Sequence, residues 1–281
     1  MSDESERRPV DRSSEQRAEP AVSSSMPATR AASNKDLTPL LKGWDYEAGT
    51  INVRKINGGD GRPKLQMRLE LGLLQMEMTG RPDGARPHGF ESLLEYHEGQ
   101  LREHKRRCGS EIGFELNGAQ CQSLREEAQL YYQRYISLFV LEDFAGVVRD
   151  TSRNLRVLDL CGKFAVDEQD RLVLEQFRPY IVMMNARASA SIAYKAERHR
   201  EALKIVTGAL ETIREFFTSI GQPETFSRSN EVRLLRRFAR EIKRHIPIDP
   251  LTKLRNQLER AVRDERYEEA ARLRDEIARK S

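Results

Sequence analysis

Beyond Gly89 the apolar residues of this chain recur every three to four positions almost to its end. That period commits most of the chain to amphipathic helices packed on one another. Phe90, Leu93, Leu94, His97 and Leu101 share one face of a first helix. Further helices are predicted over 123–140, 143–160, 170–196 and 198–219, and a sixth follows Ser229 and ends near His245, closed by Pro247 and Pro250.

Upstream the period falls to two. Ile51 and Val53 alternate with polar neighbours, Gly58-Gly59-Asp60-Gly61 turns the chain, and Leu65, Met67, Leu69 and Leu71 alternate again. A phase shift over Gly72, Leu73 and Leu74 reads as a bulge before Met76 and Met78, and Arg81-Pro82-Asp83-Gly84 has turn chemistry. These signals predict a two- or three-stranded β unit that must pack on the helices, because an isolated hairpin is marginal in water. Residues 1–36 are rich in Ser, Ala, Glu, Arg and Pro. With so few large apolar side chains they are expected to be disordered. The organisation that follows is a tail (1–36), a β unit (37–88), a helical region (89–222), a basic helix (223–247) and a terminal hairpin (248–281).

Within the helical region two segments align at an offset of 55 residues, Leu138–Leu158 and Ala193–Ile213. Each places a short break between two helices and then a pair of apolar residues, Val147-Val148 in one and Ala202-Leu203 in the other, with Leu155 and Leu210 further on. The second copy, SIAYKAERHREALKIVTGALE, resembles a tetratricopeptide repeat, with Tyr194 at the large position of its first helix and Ala202 and Ala209 at the small positions of its second. Small residues seven apart on one face let helices approach closely. The offset of 55 departs from the roughly 34 residues of that repeat, which the resemblance accommodates by an insertion around 161–170 and a long fourth helix. It implies stacked helical hairpins with a groove, more often a protein-binding surface than a catalytic one.

The terminal segment, DPLTKLRNQLERAVRDERYEEAARLRDEIARK, carries the most specific pattern. Asp249 suits an N-cap and Pro250 the first helical turn. Leu251, Leu254, Leu258 and Val262 form one apolar stripe, Arg263-Asp264-Glu265-Arg266 the turn, and Tyr267, Ala270, Leu273 and Ile277 the facing stripe. At Leu254, Leu258, Tyr267, Glu269, Ala270, Ala271, Leu273, Arg274, Asp275 and Ile277 the segment resembles the UVR motif, the helical hairpin of the UvrB and UvrC excision-repair proteins and of some protease regulators. The resemblance covers only the C-terminal end of the chain and implies a docking device, with Leu254, Leu258, Val262, Tyr267, Ala270, Ala271, Leu273, Arg274, Asp275 and Ile277 as its partner-binding residues. Its small size points the same way. Units below about 40 residues usually need a disulfide, a metal or a partner, and neither of the first two is foreseen here. The partner is another protein, a second copy of this chain or the preceding helices.

The fold expected is therefore mainly α: stacked helical hairpins, tetratricopeptide-like, with a small N-terminal β unit and a C-terminal antiparallel UVR-type hairpin. The net charge of +4 is uneven, since Arg228, Arg233, Arg236, Arg237, Arg240, Lys243 and Arg244 face only Glu231 and Glu241. Val232, Leu235, Ala239 and Ile242 turn that helix inward, leaving Arg233, Arg236, Arg237, Arg240 and Arg244 to meet phosphates or an acidic partner. No apolar run reaches the roughly 20 residues of a membrane span, no signal-type stretch opens the chain, and three scattered cysteines, Cys108, Cys121 and Cys161, fit a reducing compartment. A cytoplasmic protein is expected. GxxxxGK[ST], GxSxG, HExxH and CxxC patterns are absent. His97, His104 and Cys108 share a helical face and with Cys121 form a weak zinc candidate, Asp60 a weak phosphate contact, and His199, Met183 and Met184 read as packing. Carboxylates are expected on solvated faces, so no catalytic residue, cofactor or metal is implied. The leading expectation is a non-enzymatic adaptor. An accessory factor of excision repair touching nucleic acid through the basic helix is the first alternative, and an unrecognised enzyme the second.

Overall fold

The structure, a computed structural model, describes residues 36–247 and 250–280. All but the last residue of the predicted tail (1–36) and the predicted cap at Asp249 lie outside the described residues. In chain order the elements are α1 (Thr38–Leu41), β1 (Val53–Asn57), β2 (Pro63–Arg68), β3 (Leu73–Glu77), α2 (Leu93–Cys108), α3 (Gly118–Val140), α4 (Phe144–Phe164), α5 (Glu168–Leu172), α6 (Arg178–Lys195), α7 (His199–Ser219), α8 (Thr225–Arg228), α9 (Asn230–His245), α10 (Pro250–Arg263) and α11 (Tyr267–Lys280).

The β unit is a three-stranded antiparallel meander in the order β1-β2-β3. The phase shift read as a bulge is a reverse turn. Leu69 and Gly72 exchange backbone hydrogen bonds across it and Leu71 stands 94% exposed. Leu65 and Met67, two residues apart and so on one face, pair across the ladder with Met76 and Leu74. That face closes the main core together with α3, α4, α6, α7 and α9. On the other face Arg54 donates to Gln66 and Gln66 to Gln75, with the Arg54 guanidinium 3.9 Å from the Trp44 ring. Arg134 of α3 and Arg149 of α4 donate to the carbonyls of Glu77 and Met78, each at 3.0 Å, and so fix the sheet edge to the helices.

Helices α3, α4, α6, α7 and α9 follow one another as packed neighbours, and α9 also lies on α6. Their starts are set by local chemistry: Asn117 and Gln120 form a reciprocal capping box for α3, Asp143 caps α4 and Ser229 caps α9. The predicted long fourth helix is broken. Pro179 has no N–H to donate and cannot sit inside a helix, so it occupies the first turn of α6, after α5 and a 3-10 turn at Glu175–Phe177. A second core joins α2, the first half of α3 and the second half of α4, with Leu94, Leu116, Leu124, Leu158 and Cys161 buried.

The 55-residue offset is a repeat of turn geometry. Glu142 and Glu197 take φ of 57° and 58°. The N–H of Asp143 reaches the Leu138 carbonyl at 2.9 Å, and that of Arg198 the Ala193 carbonyl at 2.9 Å; Glu142 and Glu197 donate back to Phe139 and Tyr194 at 3.1 and 3.0 Å. This is the Schellman closure with glutamate in the left-handed position, and the next helix begins at once. Leu138 and Val147 at the first corner, and Ala193 and Ala202 at the second, stand at matching positions, all buried in the main core.

Candidate docking site

Helices α10 and α11 pack on each other, and among the described residues neither core cluster includes a side chain from them. Leu254, Ala261 and Ala270 are buried, and Leu251, Leu258, Leu273 and Ile277 are half-buried between the helices. Glu268 and Glu269 sit at the positive N-terminus of α11, and Arg279 and Lys280 at its negative end.

The turn between them is a third copy of the same corner. Glu265 has φ 59°, Arg266 donates to the Ala261 carbonyl at 2.8 Å, and Glu265 donates to Val262 at 3.1 Å. Ala261 and Ala270 stand where Ala193 and Ala202 stand in the second copy, and their small side chains allow the helices to touch there.

This corner moves two predicted contact residues off the seam. Val262 is 51% and Tyr267 68% exposed, while Ala261, absent from the predicted stripe, is fully buried. The left-handed residue rotates the chain so that the positions just outside the turn face outward. The signal was present in the sequence: Ala261 and Ala270 are nine apart, as are Ala193 and Ala202. Ala271, Arg274 and Asp275 are also exposed, and Arg274 pairs with its neighbour Asp275 at 3.1 Å. Arg266 is held inside the turn by Asp264 at 2.9 Å and Glu269 at 2.6 Å. The residues expected from the resemblance to bind a partner thus separate into a seam (Leu254, Leu258, Ala270, Leu273, Ile277) and an outward face (Val262, Tyr267, Ala271, Arg274, Asp275).

On α9 the predicted division holds. Val232, Leu235, Ala239 and Ile242 are buried in the main core, and Arg233, Arg236, Arg237, Arg240 and Arg244 are exposed. Arg233 donates to Asn230 and Arg236 lies 5.2 Å from the Phe226 ring. Among the described residues none of these five, nor Lys243, forms an ion pair with a carboxylate.

The zinc candidates are not brought together. His97 is buried, and burial lowers its pKa; Cys121 lies in the second core; His104 is hydrogen bonded to the Ile112 carbonyl at 2.9 Å; Cys108 is exposed. Among the described residues no group of three or more His, Cys, Asp or Glu is arranged to hold a metal. Burial pushes the Cys121 thiol up and the Cys161 thiol to about 12, which leaves both protonated near neutral pH. Asp60 is occupied by Arg62 and Lys64, each at 2.9 Å, and the Lys64 hydrogen bond leads the causes that hold its carboxyl well below the usual range. His199 packs against Tyr194 in a tilted ring contact, with centroids 5.0 Å apart, and Met183 and Met184 are core residues.

Not all carboxylates lie on solvated faces, contrary to the expectation. Glu127 and Asp150 are both buried. Asp150 takes a two-point hydrogen bond from Arg134 at 2.7 and 2.8 Å, and Glu127 accepts from the Leu93 and Leu94 N–H groups and pairs with Arg153. Their arginine partners, spaced along α3 and α4 among charges that read as surface, hid them. A cavity of about 510 Å³ opens between α3, α4 and α6, where Tyr132, Tyr135, Tyr180, Leu158 and Phe177 line it. Burial pushes the Tyr135 hydroxyl up strongly and that of Tyr180 to about 12, so neither is a phenolate near neutral pH.

No helix among the described residues is long and apolar enough to cross a membrane. Neither a curated protein nor a solved structure matches the chain. The UvrB/uvrC motif family matches residues 249–281. That motif occurs in nucleotide excision repair proteins and mediates protein–protein interaction; the corner of α10 and α11, with its alanine seam and its outward tyrosine, is a UVR motif.

Proposed function

We propose that this protein is a non-enzymatic adaptor that binds another protein through the outward face of its C-terminal hairpin. The observation that carries the reading is the exposure of Val262 and Tyr267 on a two-helix unit whose seam buries one leucine, Leu254, and two alanines and otherwise holds half-covered side chains. Burying a side chain of this kind contributes about 1.5–3 kcal/mol, so a complementary surface gains most from that end of the hairpin. Aromatic anchors are also the side chains on which docking energy concentrates. The stacked hairpins, with the tyrosine-lined cavity between α3, α4 and α6, offer a second surface for the same or another partner.

Affinity purification with the intact chain, a chain ending at Pro247 and a Tyr267→Asp variant tests this. The partner set is expected to disappear with both changes while the helical region keeps its circular dichroism. Equal capture by all three proteins excludes the hairpin as the docking element.

The exposed arginines of α9, free of carboxylate partners among the described residues, favour a second reading, an accessory role in excision repair through contact with nucleic acid. Phosphate contacts weaken steeply with salt, so a 20-nucleotide strand bound at low salt and released at moderate salt by the intact chain, but not bound by Arg237→Glu/Arg240→Glu, is its signature.

A further inference from the structure

Among the described residues the same corner occurs three times, and two of the three are covered. At the first, the Arg187 guanidinium of α6 lies 4.6 Å from the Phe139 ring and the Lys195 ammonium 5.0 Å from the Phe144 ring. At the second, the equivalent residues are Tyr194 and His199. His245 of α9 sits 5.4 Å from one and 5.5 Å from the other, and Phe238 6.3 Å from Tyr194. The covering side chains are eight apart on α6 and seven apart on α9, two helical turns in each case. The third corner places Val262 and Tyr267 at these positions, and both stand open.

The chemistry around the open corner selects its cover. Glu265 and Glu268 flank Tyr267, are exposed, and among the described residues form no ion pair. What fits is a helix whose cations, two turns apart, meet the Tyr267 ring and the two carboxylates, much as α6 at the first corner sets Arg187 on one ring and Lys195 on a second ring and on Glu142. The chain presents such a helix: Arg237 and Arg244 lie seven apart on the solvent face of α9, with Arg240 between them.

We propose that α9 of a second copy covers the Tyr267 corner, its arginine face on the Tyr267 ring and on Glu265 and Glu268. A guanidinium over a tyrosine face is attractive. The same chain's α9 is the poorer cover. To bring the corner to it, α10 must run back along α9, and α10 carries Lys253, Arg255, Arg260 and Arg263 against Glu259 alone; that path sets basic helix beside basic helix. Two copies related by a two-fold axis each offer one corner and one arginine face, so the exchange is reciprocal and closes at a dimer. The proposal rests on the hairpin being a docking element and assigns its occupant.

Sedimentation of the full chain at concentrations on the order of 1–100 μM, at low and moderate salt, reads the outcome. A concentration-dependent dimer weakened by salt is expected. Tyr267→Ala, Glu265→Arg/Glu268→Arg and Arg240→Glu/Arg244→Glu should each raise the dimer dissociation constant at least about tenfold. Mixing the two charge-reversed proteins should restore a heterodimer, a gain that a merely damaged fold does not give. A chain that stays monomeric, a dimer indifferent to the α9 reversals, or an oligonucleotide bound by α9 of a monomer overturns the proposal. A monomer that still captures a different protein through Tyr267 overturns the second-copy occupant alone, whereas a monomer that captures nothing removes the docking reading with it.

Discussion

At Arg134 one guanidinium makes three hydrogen bonds, two to the Asp150 carboxylate and one to the Glu77 carbonyl. Both side chains are fully buried, so neither charge has water to fall back on. Removing one partner of such a pair costs about 3–5 kcal/mol, because the other charge is left uncompensated. Asp150→Asn is therefore expected to lower stability by about that much in urea unfolding, and to loosen β3 as Arg134 loses its anchor. A change below about 1 kcal/mol would mean that water reaches the pair. None of this was legible in the sequence. Arg134 and Asp150 lie sixteen positions apart on separate helices, and charge alone places both residues at the surface.

The corners belong to the scale of elements. Each puts a glutamate at positive φ, a conformation that costs a non-glycine residue about 1 kcal/mol or more. Glu142→Gly and Glu197→Gly are each expected to raise stability by about 1 kcal/mol in chemical denaturation. The exposed Glu142–Lys195 pair, at 2.7 Å, offsets little of that. Ala202→Leu should act oppositely, losing about 1–3 kcal/mol by overpacking the point where α6 and α7 touch. A destabilised Glu197→Gly would show that its side chain holds the corner by its contact with His199. Here the sequence was partly legible. The offset of 55 exposed the first two corners, since the same small and apolar residues recur at the same distances from the break. The third copy, a further 68 residues on, escaped because its large position is Val262 rather than an aromatic residue. The reverse turn at Leu69–Gly72 escaped for a similar reason: the two-residue period runs through Leu69 and Leu71 into the turn and resumes after the phase shift, so the break looks like a bulge within one strand.

For the molecule as a whole, among the described residues the hairpin adds no side chain to either core cluster of the helices before it. A chain ending at Pro247 is expected to melt within about 2 °C of the intact protein, measured by circular dichroism on the α2–α9 helices. A drop of about 10 °C would show that the hairpin supports the domain and would count against a free docking face. The residue pattern by itself determined the helical class, the β unit, the basic face of α9 and the identity of the terminal motif. All four follow from periodicity or from a contiguous run of residues, which the chain carries locally. Only the tertiary structure decided which carboxylates are buried, and that the first two corners are covered while Val262 and Tyr267 at the third stand open. Those outcomes depend on what lies opposite each side chain once distant segments meet, and a one-dimensional pattern does not hold that information.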